Sequence, residues 1–76
     1  MSIRGDLEPW ILDALRLHAR KANVTAIAKY VWDNHEADIR AKGNALYTWQ
    51  YDLRWAGQAL QDRGLILKMR SHWELI

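Results

Sequence analysis

Tyr47, Tyr51, Arg54 and Gln58 recur at intervals of four, three and four residues, the spacing that puts side chains on one face of an α-helix. Those residue types can read nucleic acid. A guanidinium donates bidentately to guanine and a carboxamide pairs with adenine at their major-groove edges, while a phenol donates to phosphate or stacks. The plainer alternative pairs Arg54 with Asp62 or another carboxylate and leaves the rings to cover an edge of the core. Lys68 and Arg70, flanked by Ser71 and His72, carry positive charge at a turn. They would meet a nucleic-acid backbone or minor groove, or simply keep the turn soluble. Trp55 lies almost opposite the apolar stripe of its helix. It is expected to pack under the C-terminal hairpin, with exposure to a partner as the alternative.

Further charges could contribute. Arg16, Arg20, Lys21 and Lys29 could add phosphate contacts by neutralising backbone charge. Against them stand Asp13, Asp33, Glu36, Asp38, Asp52 and Asp62, and Asp52 and Asp62 are expected to balance Arg54 and Arg63 on the candidate helix itself. A second surface comprises Trp10, Ala14 and Leu17 on the flank of the first helix and Trp32 on the second. These residues form the sides of a broad core or an exposed apolar patch marking a homodimer or partner contact; with Trp55 they are the candidate partner interface.

Other motifs lose their meaning in context. The run His35-Glu36-Ala37-Asp38-Ile39 begins like a metalloprotease helix, but the second histidine position holds Ile39, so the metal-binding face is missing. His18, His35 and His72 are scattered, and no metal site is expected. Asn23-Val24-Thr25 fits a glycosylation acceptor, yet Thr25 is better explained as a helix cap. Arg4-Gly5-Asp6 matters only outside cells. With no glycine-rich phosphate loop, nucleophile elbow or paired-carboxylate cleft, neither catalysis, a cofactor nor a small-molecule substrate is expected.

The composition sets bounds. The chain has 76 residues, half of them hydrophobic, with five tryptophans and no phenylalanine or cysteine. A chain of this size is close to the limit for a single core, and large flat rings must supply much of it. Disulfide frameworks and thiolate metal sites are excluded. A formal net charge of +2 permits phosphate binding without arguing for it, so any such case rests on where the charges sit. No segment approaches a membrane span, and the start has no apolar run of the signal-peptide kind; a cytoplasmic protein is the default expectation.

The elements that must position these residues follow from periodicity. Residues 1–8 read as a leader, with Asp6 or Glu8 capping a first helix over 9–20 whose inward stripe is Ile11, Leu12, Leu15 and Ala19. Asn23-Val24 is a connector that can add one strand residue. Thr25 caps a second helix over 26–33 with Ile27 and Val31 inward, and 34–42 is a kinked extension or separate short helix that ends at Gly43. The third helix spans 44–63, capped by Asn44 and stopped by Gly64, and it buries Leu46, Trp49, Leu53, Ala56 and Leu60. Strands over 65–69 and 72–76 flank a tight turn at Arg70-Ser71. There is no internal repeat or linker, so a single domain is expected over 1–76, of class α+β with three helices and a hairpin.

The run Trp49-Gln50-Tyr51-Asp52-Leu53-Arg54-Trp55-Ala56, followed by Leu60, Gly64-Leu65 and Trp73-Glu74-Leu75, resembles the N-terminal winged-helix domain of Mrr-type restriction systems and its stand-alone relatives. The similarity covers about residues 9–76. It implies a winged helix-turn-helix fold with a DNA-recognition role, 44–63 matching the recognition helix and 68–72 the wing. No nuclease domain follows, so no cleavage activity carries over, and the wing is shorter than in many winged helices. The expectation is a double-stranded DNA-binding protein, a small regulator or accessory factor, contacting DNA through Tyr47, Tyr51, Arg54, Gln58, Lys68 and Arg70. The alternatives are a dimerisation or docking module without appreciable DNA affinity, and a single-strand binder using the tyrosines as stacking platforms.

Overall fold

A computed structural model describes residues 3–76. The elements are α1 (Arg4–Leu17), β1 (Lys21–Ala22), α2 (Val24–Ala41), α3 (Ala45–Asp62), β2 (Ile66–Lys68) and β3 (Trp73–Leu75). The strands form one antiparallel sheet in the order β1-β3-β2, with Ala22 and Lys68 on either side of Trp73. It is a small α+β fold in which helices precede a short hairpin, an arrangement compatible with a winged helix.

The start of the chain differs from expectation. Met1 and Ser2 lie outside the described residues, but 3–8 are not a leader. Helix α1 begins at Arg4, and Ile3 and Leu7 are among the most buried side chains of the core. Asp6 and Glu8 therefore cap nothing; they sit inside the helix and pair with Lys42 at 3.2 Å and with Arg63 at 2.6 Å. Extending the helix backwards turns its buried stripe to Leu7, Ile11, Ala14 and Leu15. Ala14 thus belongs to the core rather than to a flank.

The end of α1 also comes early. Ala19 and Arg20 adopt positive φ, 58° and 78°, and the Arg20 N–H donates to the Leu15 carbonyl at 2.7 Å. That bond, five residues back along the chain, is the Schellman closure of a helix, in which the left-handed position normally falls to glycine. Here it falls to Ala19, whose Cβ crowds the carbonyl; the left-handed region costs a non-glycine residue about 1–2 kcal/mol. Ala19 is exposed, so nothing is lost by removing its methyl group. Ala19→Gly should stabilise the protein by about 0.5–1 kcal/mol after the extra unfolded-state entropy of glycine is deducted. Urea unfolding followed by circular dichroism would show it, and a lowered midpoint would mean the turn is unstrained.

This turn lets the third strand form two to three residues earlier than expected, at Lys21–Ala22 rather than at Val24. Asn23 then takes the cap of α2, accepting from the Ala26 N–H at 2.7 Å, and Thr25 is already in the first turn. Helix α2 continues past residue 33 through a non-helical His35 (φ −133°, ψ 19°), the kinked extension that the polar stretch suggested, with Ile39 buried at its far end. Gly43 (φ 65°) turns the chain into α3. Asn44 holds the boundary position but makes no side-chain capping bond, its own backbone being helical.

Helix α3 buries Ala45, Trp49, Leu53, Ala56, Gly57 and Leu60. Leu46 is only half-buried. Gly57 was not expected in this set, and its place there has a clear cause: the Trp73 ring lies against it. Trp73, 3% exposed, therefore occupies the space under the hairpin that had been assigned to Trp55.

Candidate nucleic-acid interface

With the leucine side of α3 buried, the opposite side faces out. Tyr47, Tyr51 and Trp55 are 84%, 61% and 47% exposed, and Arg54 is exposed between them. The expectation that Trp55 packs under the hairpin fails, because the hairpin's own indole fills that position. Trp55 instead meets Tyr51 edge-on, ring centroids 6.3 Å apart.

Tyr51, Arg54, Trp55, Gln58 and Lys68 line one open recess of about 310 Å³. Four of the six residues proposed from the sequence thus converge on one concavity, with Trp55 added. Tyr47 stands one turn earlier on the same face, and Arg70 lies at the exposed hairpin turn, closed by a 2.8 Å bond from the Met69 N–H to the His72 carbonyl. Gln58 donates to Asp62 Oδ1 at 3.0 Å and accepts from Lys68 Nζ at 3.4 Å. The Lys68 ammonium also sits 5.3 Å from the centroid of the Trp73 ring. Helix and hairpin are therefore joined through the recess itself.

Two positioning residues escaped the sequence reading. Gln61 accepts from the Lys68 N–H at 2.7 Å, which ties β2, an outer strand of the sheet, to the last turn of α3 and occupies a donor that an outer strand would otherwise leave open. The signal was present: Gln61 follows Gln58 by three residues, just before the Gly64 turn. Arg4 pairs with Asp52 at 2.9 Å and lies over the rings of Tyr51 and Trp55 at 5.9 and 5.4 Å. Arg4 falls in the stretch 1–8 that the sequence presents as a leader.

The charge pattern is more decisive than the net charge. Among the described residues, six of the eleven Lys and Arg side chains pair with carboxylates: Arg4, Arg16, Lys29, Arg40, Lys42 and Arg63. Arg16 and Lys29, offered above as phosphate contacts, are thereby committed to Asp13 and Asp33. Asp52 and Asp62 do not balance Arg54; the first takes Arg4 and the second takes Gln58. Among the described residues, Arg54, Lys68 and Arg70 have no carboxylate partner, and neither do Arg20 and Lys21 around β1. Arg20 instead reaches the Leu75 carbonyl at 3.5 Å. A second shallow recess, lined by Val24, Thr25, Ala28, Gln50, Leu53 and Arg54, brings the positive end of the α2 dipole beside Arg54.

The suggested partner patch does not assemble. Trp10 stacks on His35 at 4.0 Å and Trp32 on Trp49 at 5.8 Å, and both pack against the core. Leu17, 68% exposed, and Trp55 border separate recesses. Exposed apolar residues gather elsewhere, at Leu65, Leu67, Met69 and Ile76 on the hairpin. Among the described residues no group of His, Asp and Glu is placed to hold a metal ion, and no helix is long and apolar enough to cross a membrane. The chain matches no protein-family model, no curated protein and no solved structure.

Proposed function

We propose that this protein is a winged helix-turn-helix factor that binds double-stranded DNA, acting as a small regulator or accessory protein. Helix α3 enters the major groove, whose width admits a helix, and the hairpin rests on the adjacent backbone. The element order α1-β1-α2-α3-β2-β3 and the strand order β1-β3-β2 support that geometry. The observation that carries the reading is the convergence of Arg54 and Lys68 on one exposed recess of α3 with no acidic residue in its lining; Arg70 is exposed at the hairpin turn. Tyr47, Tyr51 and Gln58 supply hydrogen-bonding groups on the same face. Base edges would be met by Arg54 and Gln58, and phosphates by Lys68, Arg70 and the tyrosine hydroxyls.

A salt titration on a random duplex tests it. Each phosphate neutralised on B-DNA contributes about −0.9 to the slope of log K against log salt. Two cationic contacts, from Lys68 and Arg70, give a slope near −1.8 and roughly a twelvefold loss between 50 and 200 mM salt. Fluorescence anisotropy would measure it. Binding insensitive to salt, or absent at low salt, would remove the proposal.

The second reading is a docking module, favoured by the exposed Leu65, Leu67, Met69 and Ile76. Its signature is a dimer in sedimentation analysis that persists in high salt, with no affinity for duplex.

A further inference from the structure

We propose that the recess between α3 and β2 receives a single unpaired base, so that the protein prefers duplex DNA carrying an extruded or bulged nucleotide over perfect duplex. The inference rests on the nucleic-acid reading of α3 and goes beyond it in naming the ligand of the recess. Duplex readout by a helix asks for polar, hydrogen-bonding side chains. It does not call for a concavity walled by two large rings.

The recess has the chemistry of a base site. Its volume of about 310 Å³ is at the lower end of small-molecule sites, about 300–1,000 Å³, enough for one flat heterocycle and little more. Tyr51 and Trp55 stand at 63° to each other, so a base stacked on the face of one ring meets the other edge-on, an arrangement aromatic pairs favour. Gln58 spends one donor on Asp62 and one acceptor site on Lys68. A carboxamide has two of each, leaving a donor–acceptor pair whose orientation those two bonds fix. Lys68, without a carboxylate partner among the described residues, lines the recess for a flanking phosphate, and Arg54 lines it for an edge of a neighbouring paired base. Arg4 lies over the same two rings but does not line the recess, so the rings are held in place with the concavity left open.

Three duplexes of one length and sequence context decide it by anisotropy: perfectly paired, with one bulged base, and with an abasic nucleotide at the bulge. Stacking on an aromatic side chain should make the bulged duplex roughly 5- to 150-fold tighter than the perfect one, and extruding an unpaired base costs least. The abasic bulge should fall back to the perfect duplex, and 2-aminopurine at the bulge should be quenched on binding. Trp55→Ala should bring the bulged-to-perfect ratio near one, while Trp55→Phe retains most of it. Equal affinity for bulged and perfect duplex would overturn the base site and leave duplex binding standing. An abasic bulge bound as tightly as the bulged base would overturn it too, since flexibility of the backbone would then be what is recognised. Failure to bind any of the three would remove both proposals.

Discussion

Trp73→Ala is expected to lower stability by about 3–5 kcal/mol, the usual cost of deleting a buried aromatic side chain. The whole stability of a domain this size is about 4–11 kcal/mol, at 0.05–0.15 kcal/mol per residue, so much of it is at stake. The melting temperature should fall by roughly 12–40 °C, given about 4–8 °C per kcal/mol in small domains. Trp73 has this weight because it is both the middle-strand residue paired with Ala22 and Lys68 and the ring that seats the hairpin on α3. A second substitution isolates that contact. A Cβ at Gly57 would lie 3.1 Å from Trp73 Cζ2 and closer still to Cη2 and Cζ3. Alanine improves helix propensity by about 1 kcal/mol over glycine, but overpacking a core typically costs 1–3 kcal/mol, and here the obstacle is a ring held by the sheet. Gly57→Ala should therefore be net destabilising. In a Trp73→Phe background the offending six-membered half of the indole is gone, and the same Gly57→Ala should become neutral or stabilising. Additive losses in thermal melts of the four proteins would show that the two residues do not meet.

Legibility in the sequence tracked how local the cause was. The stripe Trp49, Leu53, Ala56 and Leu60, the glycine turns at Gly43 and Gly64, and the tight turn at Arg70-Ser71 all express period or backbone chemistry within a few residues. They appear where expected. The misread boundaries had causes several residues or a whole element away. Pro9 looks like a helix start, because proline lacks the N–H that an interior position donates. Yet Ile3 and Leu7 gain enough from burial against the other helices to carry α1 through it. Ala19 is the converse case: its spacing fits the helix, yet the chain turns there with positive φ.

Site residues divided in the same way. Helical spacing suffices to place Tyr51, Arg54 and Gln58 on one outward face, because three- and four-residue steps fix direction once the buried stripe is known. Which tryptophan fills the space beneath the hairpin is a tertiary matter. Trp55 and Trp73 compete for it, and the glycine at 57 decides by leaving room for a ring arriving from β3. Charge pairing was the least legible. The acidic residues of α3 seemed to neutralise its arginines, but Asp52 is taken by Arg4 from α1, and Glu8 of α1 takes Arg63. Pairing between helices withdraws those charges from the outer face and leaves Arg54 without a partner among the described residues, which no count along the chain could reveal.

That isolation makes Arg54→Ala the sharpest test of sequence reading. If the guanidinium reads a guanine, the variant should lose about 1–3 kcal/mol on the preferred site, and discrimination at one base pair should relax. Lys68→Ala should weaken every duplex alike and make the salt slope shallower by about one. The two can be compared because neither loss can be ascribed to unfolding a priori. Arg54 makes no hydrogen bond or ion pair among the described residues, and alanine is the better helix former. Lys68→Ala keeps the backbone N–H bond to Gln61 but gives up the ammonium's contacts with Gln58 and the Trp73 ring. Arg54→Ala should therefore melt within about 0.5 kcal/mol of the parent, the range of surface changes that disturb no specific feature, and Lys68→Ala about 0.5–1.5 kcal/mol below it, so both are compared in the folded state. Selection from a randomised duplex pool followed by anisotropy on the winning site would supply the preferred sequence. Equal losses on every sequence for both variants would reduce Arg54 to one more phosphate contact, and α3 would then position the protein on DNA without reading it.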